Sequence, residues 1–289
     1  MSSQAEMASI PTESLGRPIK GPSALAGDRR RMLSLTWTLA ITDFRLKFFG
    51  SVLGYLWQLG RPLLLFGILY TVFTHVVKLG SGVNYYPVVL LTGIVMFSFV
   101  AECTAGAVSS VVDREGIVRK IQFPRLAIPL AVVVTGYLNL GLNLIAVLVF
   151  MFASGVSIGV RWLELPLILL FGGVFVSGIA MMLSALYVRF RDVRPIWDVV
   201  LQMLFYAAPV LYPIEKVSAG PLRTLMMCNP LAVMIQQTRH ALIDPTAPSA
   251  ADAIGGAVRL LIPFGITAGL LVLGFWIFNR EAPRIAEEL

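Results

Sequence analysis

Six long apolar stretches, almost free of charged residues, divide this chain and leave few folds open to it. They run approximately over residues 62–77, 86–106, 128–152, 165–188, 199–212 and 260–278. A helix needs about 20 apolar residues to cross the hydrocarbon core of a bilayer, and most of these stretches approach that length. Because 57% of the residues are hydrophobic and only 13% are charged, the chain is suited to folding in lipid. The sequence therefore predicts an all-α polytopic membrane protein with six transmembrane helices.

Two of the six stretches are short, and we expect flanking residues to complete them. Arg61 and Lys78 can extend their side chains to the interface around the first stretch, and Pro195 can open the fifth helix. The segment 213–259 is too long for a loop and is interrupted by the Asn-Pro pair at 229–230. Because backbone at membrane depth must be covered by protein or water, re-entrant or interfacial helices are expected there, before the last span.

The segment before the first span carries a helical pattern of its own. Apolar residues recur every three or four positions, at Leu33, Trp37, Ile41, Phe44, Phe48, Val52 and Tyr55. Polar residues recur on another face, at Arg31, Ser34, Thr38, Thr42 and Arg45. This pattern predicts an amphipathic helix over 29–60 that lies in the headgroup region, with a bend allowed by Gly50 and Gly54. The expected organisation is a polar, disordered tail (1–28), this interfacial helix, a six-helix membrane domain (61–279) and a short tail (280–289).

The distribution of basic residues predicts the orientation in the membrane. With the amino terminus inside, seventeen Lys and Arg residues fall on the cytoplasmic side and six fall outside. Both termini are therefore expected in the cytoplasm, with the protein in the cytoplasmic (inner) membrane. The net charge of +7 needs no nucleic acid partner, because cationic inner loops fix topology and lie against anionic membrane lipids.

The sequence offers little chemistry of its own. It contains no GxxxxGK[ST] loop, so a nucleotide would have to be bound by another polypeptide. His75 and His240 are far apart and beside no carboxylate cluster, and Cys103 and Cys228 have neither metal-ligand nor disulfide-framework spacing. We expect no catalytic residue, metal site or cofactor in this chain.

Three polar residues stand out within the apolar stretches. Glu102 is the single intramembrane acid, and such a residue indicates either a functional site or a structural bond to a neighbouring helix or a loop arginine. Asn139 and Asn143 are four residues apart and therefore share a face of the third span. They are expected to hold helices together or to touch sugar hydroxyls.

Four segments carry a resemblance to a known family. They are FRLKFFGSVLGYLWQLGRPL (44–63), DREGIVRKIQFPR (113–125), VRFRDVRPIWDVVLQMLFYAAPVLYP (188–213) and NPLAVMIQQTRHAL (229–242). In this combination the chain resembles the permease subunits of ABC-2 type polysaccharide exporters, such as those for O-antigen, teichoic acid, capsule and galactan. The resemblance implies a non-catalytic permease that works with two ATPase subunits, which bind ATP and Mg²⁺, and with a second copy of itself. The implied cargo is a glycan attached to a polyprenyl diphosphate lipid.

The resemblance also implies roles for particular residues. The cytoplasmic loops after the second and fourth spans would contact the ATPase, through Asp113, Arg114, Glu115, Gly116, Arg119, Lys120, Arg189, Arg191 and Asp192. Charge-assisted hydrogen bonds of Arg189, Arg191 and Asp192 would pin the second loop. Arg45 and Lys47 would attract the lipid diphosphate as it approaches. Aromatic rings on which a glycan can slide are candidates for the channel lining: Phe66, Tyr70, Tyr137, Phe205, Tyr206 and Tyr212.

Other transport and transfer functions remain open at this point. An ABC-2 permease for a drug or a lipid has the same general sequence features. An ion-coupled secondary transporter usually has several intramembrane acids or two broken helices, whereas Glu102 is alone here. A membrane-embedded glycosyl- or phosphotransferase would need clustered carboxylates, whereas Glu164, Glu215, Asp244 and Asp252 are scattered.

Overall fold

The computed structural model describes residues 29–48, 52–78, 82–116 and 124–282, and every regular element within these ranges is helical. The α-helices are α1 (Arg29–Phe48), α2 (Val52–Thr71), α3 (Tyr86–Ser109), α4 (Ala127–Ala153), α5 (Leu165–Arg189), α6 (Val193–Ala207), α7 (Pro221–Met227), α8 (Pro230–Thr238), α9 (Ala250–Ile254) and α10 (Leu261–Glu281). Short 3-10 helices lie at Val112–Arg114, Val160–Glu164, Ile214–Lys216 and Ala257–Leu260, and π-helical turns continue α2 at Val72–Val76 and α8 at Arg239–Ile243. The all-α prediction is confirmed.

Five helical segments in the described ranges are long and apolar enough to cross a membrane. They are Trp57–Val76, Tyr86–Ser109, Ala127–Ala153, Val160–Arg189 and Ala257–Glu281. The predicted fifth span, 199–212, does not reach this length, because α6 has 15 residues and ends at Ala207. Ala208 is extended, as expected for a residue before a proline, and Pro209 cannot donate a helical hydrogen bond. The prediction of a polytopic membrane protein is confirmed.

Helix α3 lies at the centre of the bundle. It packs against α2, α4, α5, α6 and α8, and side chains such as Leu90, Ile94 and Met96 have no exposed surface. Within its best spanning window 72% of the residues are buried, against 11% for the segment that contains α2 and 17% for α10. The long helices α2 and α10 therefore lie at the periphery.

Helices α5 and α10 meet at their backbones. A Cβ atom placed on Gly274 would lie 2.1 Å from the carbonyl oxygen of Gly178, and one placed on Gly178 would lie 2.7 Å from the backbone of Leu270. Small residues allow membrane helices to approach this closely, which maximises van der Waals contact where lipid supplies no hydrophobic drive. This contact fixes α10, whose other faces are largely uncovered.

Helix α1 is present as predicted, but it packs through a face that the apolar pattern did not single out. Thr36 and Ala40 are buried, while Leu33 and Trp37 of the apolar stripe are 64% and 57% exposed. Contacts of α1 are mainly with α4. In the region 29–60, predicted as an interfacial helix, the structure describes α1 as far as Phe48 and the start of α2 from Val52.

The bundle has two ends that are defined here by their residues. The Arg125 end holds the connection from α3 to α4 and the carboxyl end of α10, because the buried Arg125 donates a hydrogen bond to the carbonyl oxygen of Ala282. Burial lowers the pKa of the Arg125 guanidinium from its ordinary value. The opposite Arg161 end holds the connection from α4 to α5, and helices α7 to α9 gather there, where Asn229 caps α8 and Ser249 and Asp252 form a capping box on α9.

Candidate functional site

A polar cluster joins four helices around one carboxylate within the bundle. Glu102 of α3 forms an ion pair with Lys47 of α1 and accepts a hydrogen bond from Asn139 of α4 at 2.7 Å. The amide of Gln58, on α2, lies 3.4 Å from the second carboxylate oxygen. We call these four residues the Glu102 cluster. Glu102 therefore bonds to neighbouring helices, which is one of the two roles expected for it from the sequence.

The Glu102 cluster is partly exposed on one side and buried on the other. The side chains of Lys47 and Glu102 retain 42% and 33% of their exposure, whereas Asn139 is 1% exposed. Asn143 donates to the backbone oxygen of Asn139 at 3.1 Å. The Oδ1 atoms of both asparagines are buried, and neither has a hydrogen-bond partner in the described part of the chain. Unsatisfied acceptors at this depth are costly, so they indicate a site that another group can complete.

A cavity of about 630 Å³ opens beside the Glu102 cluster. Its lining includes the polar side chains of Gln58, Arg61, Glu102 and Asn143 and the rings of Trp57 and Phe97. These residues come from α2, α3 and α4, and Lys47 of α1 closes one side. A smaller cavity of about 220 Å³ lies on the other side of Glu102, next to Asp43 and Thr135.

The segment after α3 is tied back to α1. The hydroxyl of Ser109 donates to Asp113 at 2.8 Å where α3 ends, and Arg114 forms an ion pair with Asp43. Asp43 and Lys47 are four residues apart and share a face of α1. Helix α1 is thus fixed to α3 and its following loop at two charged points. Glu115 and Gly116 end this described range, and Arg119 and Lys120 lie outside the described residues.

In the segment between α5 and α6, two arginines lie beside aromatic rings. The guanidinium of Arg191 lies 5.0 Å from the ring centre of Tyr187, and that of Arg189 lies 5.5 Å from Phe190. Asp192 occupies the cap position of α6 without a side-chain capping bond. Within the described residues these three side chains form no hydrogen bond or ion pair, and their role in pinning the loop stays a prediction. The adjacent aromatic rings offer the arginines cation–π contacts.

The candidate channel aromatics fall into separate groups within one chain. Phe66 stacks on Tyr70 at 5.6 Å, and Tyr137 lies 4.9 Å from Phe99 and donates to the backbone of Leu169. A third group includes Phe205, which packs against Phe97 and Tyr206, and Tyr212, which donates to the backbone of Tyr206. Tyr206 is the most exposed of the six candidates, at 66%.

A second polar network lies at the Arg161 end, and the sequence reasoning missed it. Buried Arg239 pairs with Glu215 at 2.7 Å, and Gln237 donates to Glu164 at 2.6 Å. Arg161 donates to His240 at 3.0 Å and thereby joins the start of α5 to α8. A possible signal in the sequence was the run QQTRH at 236–240, which carries more hydrogen-bonding groups than a lipid-facing helix tolerates.

These features lie within a stretch that matches a known family. Residues 34–243 match the model described as ABC-2 type transporter. The chain belongs to the ABC-2 type transporter family. The match covers the Glu102 cluster, its cavity and both charged loops. In an ABC transporter of this family, the permease is the membrane subunit and works together with an ATPase.

Three curated relatives of this ABC-2 protein share one name. A protein named O-antigen export system permease protein RfbA, from Klebsiella pneumoniae, is 29% identical over 248 residues, which cover 86% of this chain and 92% of the relative. A second Klebsiella pneumoniae protein of that name is 27% identical over the same length. One from Myxococcus xanthus is 27% identical over 253 residues, covering 87% of this chain and 94% of the relative.

The ion pair between Asp43 and Arg114 provides a test of how α1 is held in this ABC-2 protein. Asp43→Asn and Arg114→Gln should each loosen α1 and lower the free energy of unfolding by about 1 kcal/mol, as expected for a partly buried ion pair. The exchanged pair, Asp43→Arg with Arg114→Asp, should recover most of the loss. Hydrogen exchange of α1 and melting in detergent measure both effects. Arg31→Gln, on the exposed side of α1, is the matched control and should lose no stability. If the exchanged pair lost as much stability as the single variants, the ion pair would not be what holds α1.

Proposed function

We propose that this chain is the permease subunit of an ATP-driven transporter that exports a polysaccharide attached to a polyprenyl diphosphate lipid across the cytoplasmic membrane. The observation that carries the proposal is that relatives named O-antigen export permeases align with 86% or more of the chain. In the proposed assembly two copies of this chain enclose the path of the glycan. Two ATPase subunits bind ATP and Mg²⁺ and supply the energy.

A topology with six crossings and both termini in the cytoplasm is part of the proposal, and two contacts support it. The bond from Arg125 to Ala282 joins the carboxyl end of α10 to the start of α4. Helix α5 ends on that same side, whereas α10 starts on the other, so the chain between them must cross once more. Tyr86, at the start of α3, donates to the backbone of Leu211 at 2.9 Å, which indicates that the crossing is made by α6 and the residues after it. Helices α7 to α9 would then be the re-entrant segment.

The two charged loops are the proposed contacts with the ATPase. The segments 113–116 and 189–192 both lie at the Arg125 end of the bundle. Arg119 and Lys120, which lie outside the described residues, are part of the first proposed contact by their sequence alone. Residues 189–192 are all exposed, so they are accessible to another protein. The bond of Arg114 to Asp43 would pass a movement of the first loop to α1. Because α1 is also bonded to Glu102, such a movement would reach the centre of the membrane domain.

Access of the lipid-linked glycan is proposed beside α1. Arg45 is exposed and would attract the diphosphate, because a cation near the membrane surface contributes about 1 kcal/mol toward an anionic lipid. Lys47 is closer to the bundle, and its charge is compensated by Glu102. Tyr206 is the most exposed side chain of the proposed glycan path, which also includes Phe66, Tyr70, Tyr137, Phe205 and Tyr212.

Purification of this chain with and without its ATPase tests the proposed function. Alone, the chain should hydrolyse no ATP, because its sequence has no loop that cradles phosphates. With the ATPase, native mass spectrometry should show a complex of two copies of each subunit. Proteoliposomes that contain this complex should move a polyprenyl-linked glycan only when ATP is present. Transport by the chain without an ATPase would contradict the proposal.

A further inference from the structure

Some polar groups of the cavity beside the Glu102 cluster have no partner among the described residues. We propose that it binds the head group of the cargo, a phosphorylated sugar, in the membrane. This inference rests on the proposed function and adds to it a defined binding site for the first part of the substrate. The site is built from Arg61, Asn143, Trp57 and Phe97, with Glu102 at its base.

The cation of this site is Arg61 rather than Lys47. Lys47 is already paired with Glu102, so its charge is compensated within the protein. Arg61 lines the cavity, is exposed, and forms no ion pair or hydrogen bond within the described residues. A guanidinium presents a planar set of donors that matches two oxygens of a phosphate. An anionic group is therefore the ligand chemistry that fits this side of the cavity.

Another residue of the cavity lining, Asn143, has an acceptor without a partner in the described part of the chain. Asn143 is 6% exposed, and its Oδ1 atom is buried with no donor within the described ranges. A diphosphate esterified at both ends is fully ionised at neutral pH and has no proton to donate, and an acyl chain has no polar hydrogen, so neither satisfies this acceptor. A sugar hydroxyl donates one hydrogen bond and accepts others. Asn143 and Gln58, together with Glu102, offer both kinds of partner.

The two rings and the volume of the cavity agree with this ligand. Trp57 is 60% exposed and Phe97 is partly buried, and an aromatic face suits the apolar face of a sugar ring. The volume of about 630 Å³ lies within the range of small-ligand sites. It is enough for a head group and too small for a polymer. The cavity adjoins α2, whose spanning window is only 11% buried, so a lipid-linked head group can reach it from the side.

Binding measurements with two lipid probes test the site in the full chain. The chain is placed in nanodiscs of zwitterionic lipid and exposed to a photoreactive polyprenyl diphosphate that carries one N-acetylhexosamine, or to the same lipid without the sugar. Arg61→Gln should weaken both probes by about tenfold, the equivalent of 1.4 kcal/mol. Asn143→Leu and Trp57→Leu should weaken only the probe that carries the sugar. Labelled peptides should come from the neighbourhood of Trp57.

Controls separate this inference from the proposed function and from misfolding. Arg31→Gln removes an exposed cation outside the cavity and should leave both affinities unchanged. Melting of each variant shows whether the fold is kept. Because Asn143 is buried, Asn143→Leu can prevent folding, and Trp57→Leu then tests the same site at an exposed side chain. Equal binding by wild type, Arg61→Gln and Trp57→Leu, in a protein whose ATPase complex still exports glycan, would overturn the site alone. Equal loss of both probes in Asn143→Leu and Trp57→Leu would indicate a site for lipid phosphate and overturn the sugar assignment. Failure of ATP-driven export by the wild-type complex would instead overturn the proposed function.

Discussion

Gly274→Ala is expected to destabilise the membrane domain by about 3 kcal/mol, at the upper end of the range for overpacking. The added Cβ would lie 2.1 Å from the backbone oxygen of Gly178, and a backbone atom cannot move aside as the end of a side chain can. The two helices would have to separate along their shared seam. Because α10 is otherwise little buried, this separation should release the last span from the bundle.

A matched change on the same helix isolates the close approach. Gly269→Ala places its Cβ in open space, with no other atom within 4 Å, and alanine is the better helix former. It should leave the melting temperature in detergent unchanged or raise it. Proteolysis between α9 and α10 should become faster only in Gly274→Ala. Similar melting of the two variants would show that the seam between α5 and α10 is looser than the structure indicates.

Glu102→Ala is expected to have the second largest effect, because three donors lose one acceptor. Lys47, Gln58 and Asn139 would each lose this acceptor, and the amide of Asn139 is too deeply buried for water to replace the carboxylate. Lys47 retains access to water, so the expected loss is about 2 kcal/mol rather than the larger value for a fully buried charge. Helix α1 should detach first, since one of its two charged attachments is gone.

Glu102→Gln separates charge from hydrogen bonding at this position. The amide oxygen can still accept from Asn139, whereas the ion pair with Lys47 is lost. We expect a stability between those of wild type and Glu102→Ala, and Lys47→Met should resemble Glu102→Gln. Spin labels on α1 and melting in detergent measure detachment and stability. An unchanged position of α1 in Glu102→Ala would show that the cluster does not hold this helix.

The parts of the fold that follow from hydropathy could be predicted from the sequence. Long apolar runs give helices in lipid, because an unpaired backbone group is too costly there, and the five longest runs are long helices in the structure. The stretch 199–212 is apolar throughout, which predicts a helix as far as Tyr212, whereas in the structure α6 ends at Ala207, before Pro209. The region 29–60 was drawn as one helix because its periodicity continues through Val52 and Tyr55, which belong to α2.

The site could be predicted only in part, because its bonds join residues far apart in the sequence. Glu102 was conspicuous as an acid in an apolar run, but nothing local indicates that Lys47, Gln58 and Asn139 converge on it. The face of α1 that packs on the bundle consists of small residues such as Ala40, which do not register in an apolar pattern. From the sequence, Arg189 and Arg191 could form either hydrogen bonds or cation–π contacts. The structure shows that the ring of Tyr187 lies close to the guanidinium of Arg191, which favours the cation–π contact.

Because α3 lies at the centre of the bundle, it enters the membrane in contact with lipid but functions in contact with other helices. Its high hydropathy suits it to leave the translocon for lipid, yet in the finished fold neighbouring helices replace most of that lipid. Adjustment to a thicker or thinner bilayer therefore falls on α2, which can tilt at the edge, whereas α10 is held against α5 by the close approach of Gly274 to Gly178. The bundle therefore has a rigid centre at α3 and an adaptable edge at α2.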